Sequence, residues 1–191
     1  MLGYTLSSFM AKTKLWVWED GSYNLHSYIA EDLGGLDSSF IGKKWLDNKG
    51  NPSNFSIDAG KAFWIDTPMS AEIIFLGQVF TENDYSIDIE TGLNLVSNPF
   101  PVLFNVHNIN SDNLLGYTAS SFVAKTKLWA WEDGSYNLHS YIAEDLGGMD
   151  SSFIGKKWLD NKGNPSILTI DVGQGFWIDT PANATLVFTL P

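Results

Sequence analysis

Cysteine is absent from the 191 residues. That excludes disulfides, thiolate metal sites and cysteine nucleophiles. Arginine is absent as well, so all 11 basic residues are lysine. They face 22 acidic residues, for a formal charge of −11. An acidic chain with no guanidinium is poorly suited to binding phosphate, nucleic acid or anionic membranes. Neither nucleic acid nor membrane is therefore expected as a partner. No apolar run approaches the length that spans a bilayer. The first ten residues lack the basic start and apolar stretch of a secretory signal. Charged residues are scarce, at 17%, while aromatics reach 14%. This composition predicts a folded chain with a large core rather than a disordered one.

What is present is a repeat. The stretch beginning at Leu2 recurs at Leu115, an offset of 113 residues. From Leu2 to Ser53 only four positions differ: Leu6/Ala119, Met10/Val123, Val17/Ala130 and Leu36/Met149. All four exchange one apolar residue for another. The match continues with more drift, FSIDAGKAFWIDTP becoming LTIDVGQGFWIDTP. Recombination of one stretch over the other explains the abrupt change in divergence, as would a working surface held constant in both copies. The stretch 79–113 occurs once, between the copies. The expected organisation is a first β module over 1–78 that lacks its opening strands, then a complete one over 79–191. Met1 stands inside a repeat unit. The expectation is a piece of a longer array, or a subunit that takes its missing part from a neighbour.

Short alternating or apolar runs separated by Asp, Asn and Gly predict an all-β fold of two tandem β-sandwich-like modules. Strands are expected near Lys14–Trp18, Tyr23–Ile29, Ile41–Leu46, Phe55–Asp58, Ala62–Asp66 and Glu72–Leu76, and again 113 residues later. Tyr85–Ile89, Leu93–Val96 and Val102–Val106 follow in the single-copy stretch. SSF offers a cap for a short helical turn near Thr5–Ala11. In KLWVWE, Trp16 and Trp18 share one face and Leu15 and Val17 the other. Trp16, Phe63, Trp64 and their counterparts Trp129, Phe176 and Trp177 are expected to be mostly buried. Each such ring removes roughly 150–250 Å² from water, enough to build a core without metal or disulfide.

Candidate chemistry is sparse. His26, His107 and His139 read as ordinary strand histidines, and no cleft is expected to bring His26 or His139 together with a nucleophile and an orienting carboxylate. No G-x-S-x-G or HExxH pattern occurs. The acidic pairs Glu19/Asp20, Glu31/Asp32, Glu132/Asp133 and Glu144/Asp145 show no sign of a glycosidase cleft. Asp47, Asn48 and Asn51, with Asp160, Asn161 and Asn164, supply oxygens of the kind calcium takes. A hairpin turn explains the same residues. No catalytic residue, cofactor or metal is expected. Trp18, Tyr28 and Trp45, with Trp131, Tyr141 and Trp158, interleave with amides and carboxylates as sugar-stacking platforms do. Core packing is the competing reading of these six.

At GLNLVSNPFP the chain resembles the repeated β-modules of large secreted or surface-anchored proteins of Bacteroidetes-like bacteria. KLWAWEDGSY at Lys127–Tyr136 and LTIDVGQGFWI at Leu168–Ile178 continue the likeness. It covers Gly92–Pro191 and, without the opening motif, Met1–Gly77. The resemblance implies an extracellular, non-catalytic β-fold and brings no catalytic residues with it. The functional expectation is a structural or adhesive repeat, assembling into filaments through strand addition between copies. The alternative is a carbohydrate-binding module with glycans as partners.

Overall fold

The structure is a computed structural model and describes residues 13–19, 21–72, 82–111, 113–121, 123 and 125–190. It is all-β, and the chain divides into two units. The first comprises Met1–Ile57 and Phe63–Gly77; the second comprises Asp58–Ala62 and Gln78–Pro191. Five residues of the first copy, Asp58–Ala62, are built into the second unit. Among the described residues, no helix is long and apolar enough to cross a membrane.

In the first unit, β1 (Lys14–Glu19), β2 (Ser22–Tyr28), β3 (Trp45–Leu46) and β4 (Phe63–Asp66) form an antiparallel sheet ordered β3-β2-β1-β4. Trp16 lies opposite Leu25 on one side and Trp64 on the other, and Trp18 lies opposite Tyr23. Paired residues point to the same face of a sheet, so these five side chains share one face. Leu15 and Val17 point the other way and are buried.

The second unit adds β5 (Asp84–Ile89), β6 (Gly92–Ser97), β7 (Phe104–Asn105), β8 (Ile109–Asn110), β9 (Lys127–Glu132), β10 (Ser135–Tyr141), β11 (Trp158–Leu159), β12 (Thr169–Ile170), β13 (Gly175–Thr180) and β14 (Ala184–Thr189). One sheet runs β11-β10-β9-β13-β6, a second β5-β14-β8, and β12 pairs with β7. The core lies between the sheets: Val96, Leu128, Ala130, Trp158, Phe176 and Ile178 meet Ile87, Ile109, Leu186 and Phe188. This is a β-sandwich. Asp133 and Gly134 turn β9 into β10 with φ of 49° and 81°. An Asp-Gly pair is suited to that, because glycine meets no Cβ penalty at positive φ.

The single-copy motif has a structural task. Asn98 is 5% exposed. Its Nδ2 donates to the carbonyls of Val102, Ile170 and Asp171 at 2.8, 3.2 and 3.2 Å, and its Oδ1 accepts the Phe100 N–H at 2.8 Å. One amide thus ties the SNPFP turn to the strand entering β13.

Several expected strands are shorter or missing. Ile41–Leu46 is reduced to Trp45–Leu46, preceded by a 3-10 turn at Ser38–Phe40 that Asp37 caps. Phe55–Asp58 forms no strand, whereas its counterpart holds β12 because β7 pairs with it. Val102–Val106 is strand only at Phe104–Asn105. The expected strand at Glu72–Leu76 falls almost wholly outside the described residues, and the helical turn at Thr5–Ala11 entirely so.

β6 is the last strand of the five-stranded sheet, and its second edge is also occupied. The Ser97 N–H donates to the Gly60 carbonyl at 2.8 Å, Ser97 Oγ to the Lys61 carbonyl at 3.0 Å, and Lys61 forms a bridge with Val96. The Tyr85 hydroxyl donates to the Ala59 carbonyl at 2.6 Å. The turn 58–62 therefore seals an edge that would otherwise leave backbone donors open.

Candidate functional site

The histidines are buried or half-buried, and one of them has both a serine and a carboxylate beside it. His139 sits on β10 opposite Leu128 and is 5% exposed. Its Nδ1 lies 2.9 Å from Ser166 Oγ, and Nε2 faces Glu132 Oε2 at 3.6 Å. Serine, histidine and a carboxylate are thus neighbours, with the ring and the hydroxyl both buried. Ser166 is 3% exposed, and its Oγ already accepts the Leu168 N–H at 3.1 Å. The hydroxyl accepts that amide and donates to Nδ1, which assigns the ring proton to Nε2. A nucleophile has to reach a substrate, and this oxygen is enclosed by the fold. The group instead fastens β10 to the segment before β12. The first copy repeats the contact, with Ser53 Oγ 2.8 Å from His26 Nδ1.

His107, from the single-copy stretch, is pinned from both ends. Its Nδ1 accepts the N–H groups of Lys157 and Trp158 at 3.1 and 3.2 Å, and its Nε2 donates to the Ser166 carbonyl at 2.9 Å. Burial, then the nearby Lys156 charge, holds its pKa below the ordinary histidine value. Burial also lowers that of His139, against the opposing pull of Glu132 and Asp160.

The calcium-like oxygens serve turns. Asp47 Oδ1 accepts the N–H groups of Lys49 and Asn51 at 2.9 and 2.8 Å, and Asp160 does the same for Lys162 and Asn164. Among the described residues, no group of three or more His, Asp or Glu side chains is placed to hold a metal ion.

The six proposed stacking residues are separated by the fold. Trp158 is 0% exposed and Tyr141 2% exposed. The Trp158 indole donates to the Ile109 carbonyl at 3.3 Å, and the Tyr141 hydroxyl to that of Ser111 at 3.1 Å. Both belong to the core, which corrects their assignment to a ligand. Their counterparts Trp45 and Tyr28 are half-buried and pack edge-to-face at 5.4 Å. Trp18 is half-buried against Tyr23, and Trp131 is 50% exposed beside Tyr136 at 4.9 Å.

A different aromatic group gathers in the first unit. Trp16, Tyr23 and Trp64 line an open, apolar hollow of about 370 Å³. Trp64 was expected to be buried but is 38% exposed, while its counterpart Trp177 is 9% exposed. The difference follows from the strand order. β13 continues to β6, which sets Leu95 opposite Trp177; among the described residues β4 ends its sheet. The alternation in KLWVWE already put Trp16 and Trp18 on one face. Which of the two faces stays open depends on long-range pairing, and no local pattern records that.

Comparison with protein families, with curated proteins and with solved structures returns no match.

Proposed function

We propose that the chain is a non-catalytic, extracellular structural and adhesive repeat whose modules join by placing a segment of one repeat on a strand of the next. The observation that carries this reading is the turn 58–62. It comes from the first copy, yet it supplies the hydrogen bonds on the outer edge of β6 in the second unit. A strand that accepts backbone from a preceding repeat is a joint, and joints of this kind suit arrays and filaments. The likeness to surface-protein β-modules and the enclosed Ser166 oxygen favour the same reading. Light scattering over a concentration series tests it. The expected result is a mass that climbs above 21.2 kDa toward multiples of it. A species that stays at 21.2 kDa at every concentration overturns self-assembly.

Carbohydrate binding is the second reading, and one observation favours it. Trp131 and Tyr136 form an exposed edge-to-face pair, with the Trp131 carbonyl held by Gln174 Nε2 at 3.3 Å. An exposed ring held in place by its neighbour is what a sugar face needs. A glycan array probed with the wild-type chain and with Trp131→Ala decides. Binding lost in the variant supports this reading, and no binding by the wild type removes it.

A further inference from the structure

The duplication places the same turn in two settings. Asp58–Ala62 and Asp171–Gly175 are equivalent across the 113-residue offset. Both close with the same backbone bond, from Lys61 N–H to the Asp58 carbonyl at 3.1 Å and from Gln174 N–H to the Asp171 carbonyl at 3.0 Å. Their glycines share one conformation, with φ of 75° at Gly60 and 71° at Gly173. The surroundings differ. Gly60 is buried under Tyr85 and beside Ser97, whereas Gly173 is exposed and Val172 is 60% exposed. A Cβ added at Gly60 would lie 2.8 Å from Tyr85 Cε1; one added at Gly173 would meet nothing within 4 Å.

We infer that the exposed turn Asp171–Gln174 is a docking plug, and that its partner is the β6 edge and Tyr85 of a second copy of this chain. The inference rests on the reading of the chain as a self-joining repeat and names the two surfaces that join. The mode of binding is the one that the first copy displays. The Val172 carbonyl takes the place of that of Ala59 and accepts the Tyr85 hydroxyl. The Gly173 carbonyl takes the place of that of Gly60 and accepts the Ser97 N–H. Gln174 stands where Lys61 does, and its carbonyl already accepts the Asn98 N–H at 3.2 Å, so the Ser97 hydroxyl would share it. Gly173 is required because any side chain there would strike the Tyr85 ring, as it would at Gly60. In a single molecule the acceptor is filled by that molecule's own turn 58–62. Docking between molecules is therefore an exchange, driven by concentration and by anything that loosens the resident turn.

Gly60→Val expels the resident turn, since its side chain meets Tyr85 and its φ disfavours a branched residue. The expected result is a mass by light scattering that climbs with concentration at least tenfold more readily than the wild type. Adding Gly173→Ala to Gly60→Val should return the chain to monomer, because that methyl group, strained by the φ of 71° but meeting nothing within 4 Å in its own module, has no room in the acceptor. Oligomers of Gly60→Val that persist with Gly173→Ala overturn the inference, as does a Gly60→Val chain that folds and stays monomeric. A measurement on the wild type removes dependence on the variant's folding. A fluorescein-labelled peptide spanning Ile170–Phe176 should bind the wild-type chain saturably, and the same peptide with alanine for Gly173 should not. Equal binding of both peptides, or of neither, contradicts the plug. Wild-type oligomers that are insensitive to Gly173→Ala would sink the plug and leave the self-joining reading in place.

Discussion

Burial holds His139 and His107 below the ordinary histidine value of 6.5, so both are neutral in the native protein near pH 7. The unfolded chain takes up protons at these positions that the folded chain resists. Stability is therefore unaffected by them well above pH 6.5 and falls as pH drops below it, toward the depressed native values. Urea denaturation at a series of pH values should show this slope, and His107→Gln should flatten it. A second fall belongs to Asp37 and Asp150, whose pKa values lie below 3.8 because each accepts a backbone N–H, from Ser39 and Ser152. What they contribute is present above that value and lost as pH falls through the native one, so the two windows are separable. Tryptophans divide as sharply. Trp158→Ala should cost about 3–5 kcal/mol, because it empties a filled core site and orphans the Ile109 carbonyl. Trp131→Ala should change stability by less than about 1 kcal/mol, since half of that ring is in water. Thermal melts of the two variants check this contrast.

At the scale of elements, the SNPFP turn depends on one side chain. Asn98→Ala leaves three carbonyls and the Phe100 N–H short of a partner and should cost about 2–4 kcal/mol. Asn98→Asp should be at least as damaging, because its carboxylate would face the three carbonyls that the amide now serves. Equilibrium unfolding of the two variants measures this, and an Asn98→Asp protein as stable as wild type would contradict the role. Asn and Pro at such spacing favour a turn. The hairpin β1–β2, its copy β9–β10, and the strands β5 and β6 were legible in the sequence, because alternation and an Asp-Gly turn are local signals. The strand at Phe55–Asp58 was not legible as absent. Its counterpart pairs with a segment that exists only once, and pairing across long separations leaves no trace in a short window. The candidate site divided likewise. SYNLHSY put His139 on a strand, but its partner Ser166 lies 27 residues away and is met only through the fold. Trp158 and Tyr141 shared the aromatic-polar interleaving of Trp131, and only the packing of the second sheet tells them apart.

At the scale of the whole molecule, one strand serves residues of both repeats. β6 takes β13 on one edge and residues 60–61 on the other. The duplication makes the arrangement repeatable, since every copy carries both the turn and, where the opening segment is present, the strand that receives it. The most direct test is amide hydrogen exchange by NMR at two neighbouring positions. The Ser97 N–H points to Gly60, and the Asn98 N–H to Gln174. The predicted result is protection of both in the wild type and selective loss at Ser97 in Gly60→Val, with Asn98 still protected. A Ser97 amide that exchanges in the wild type as fast as an exposed one would contradict the joint, and with it the reading of this chain as a repeat built to connect to its neighbours.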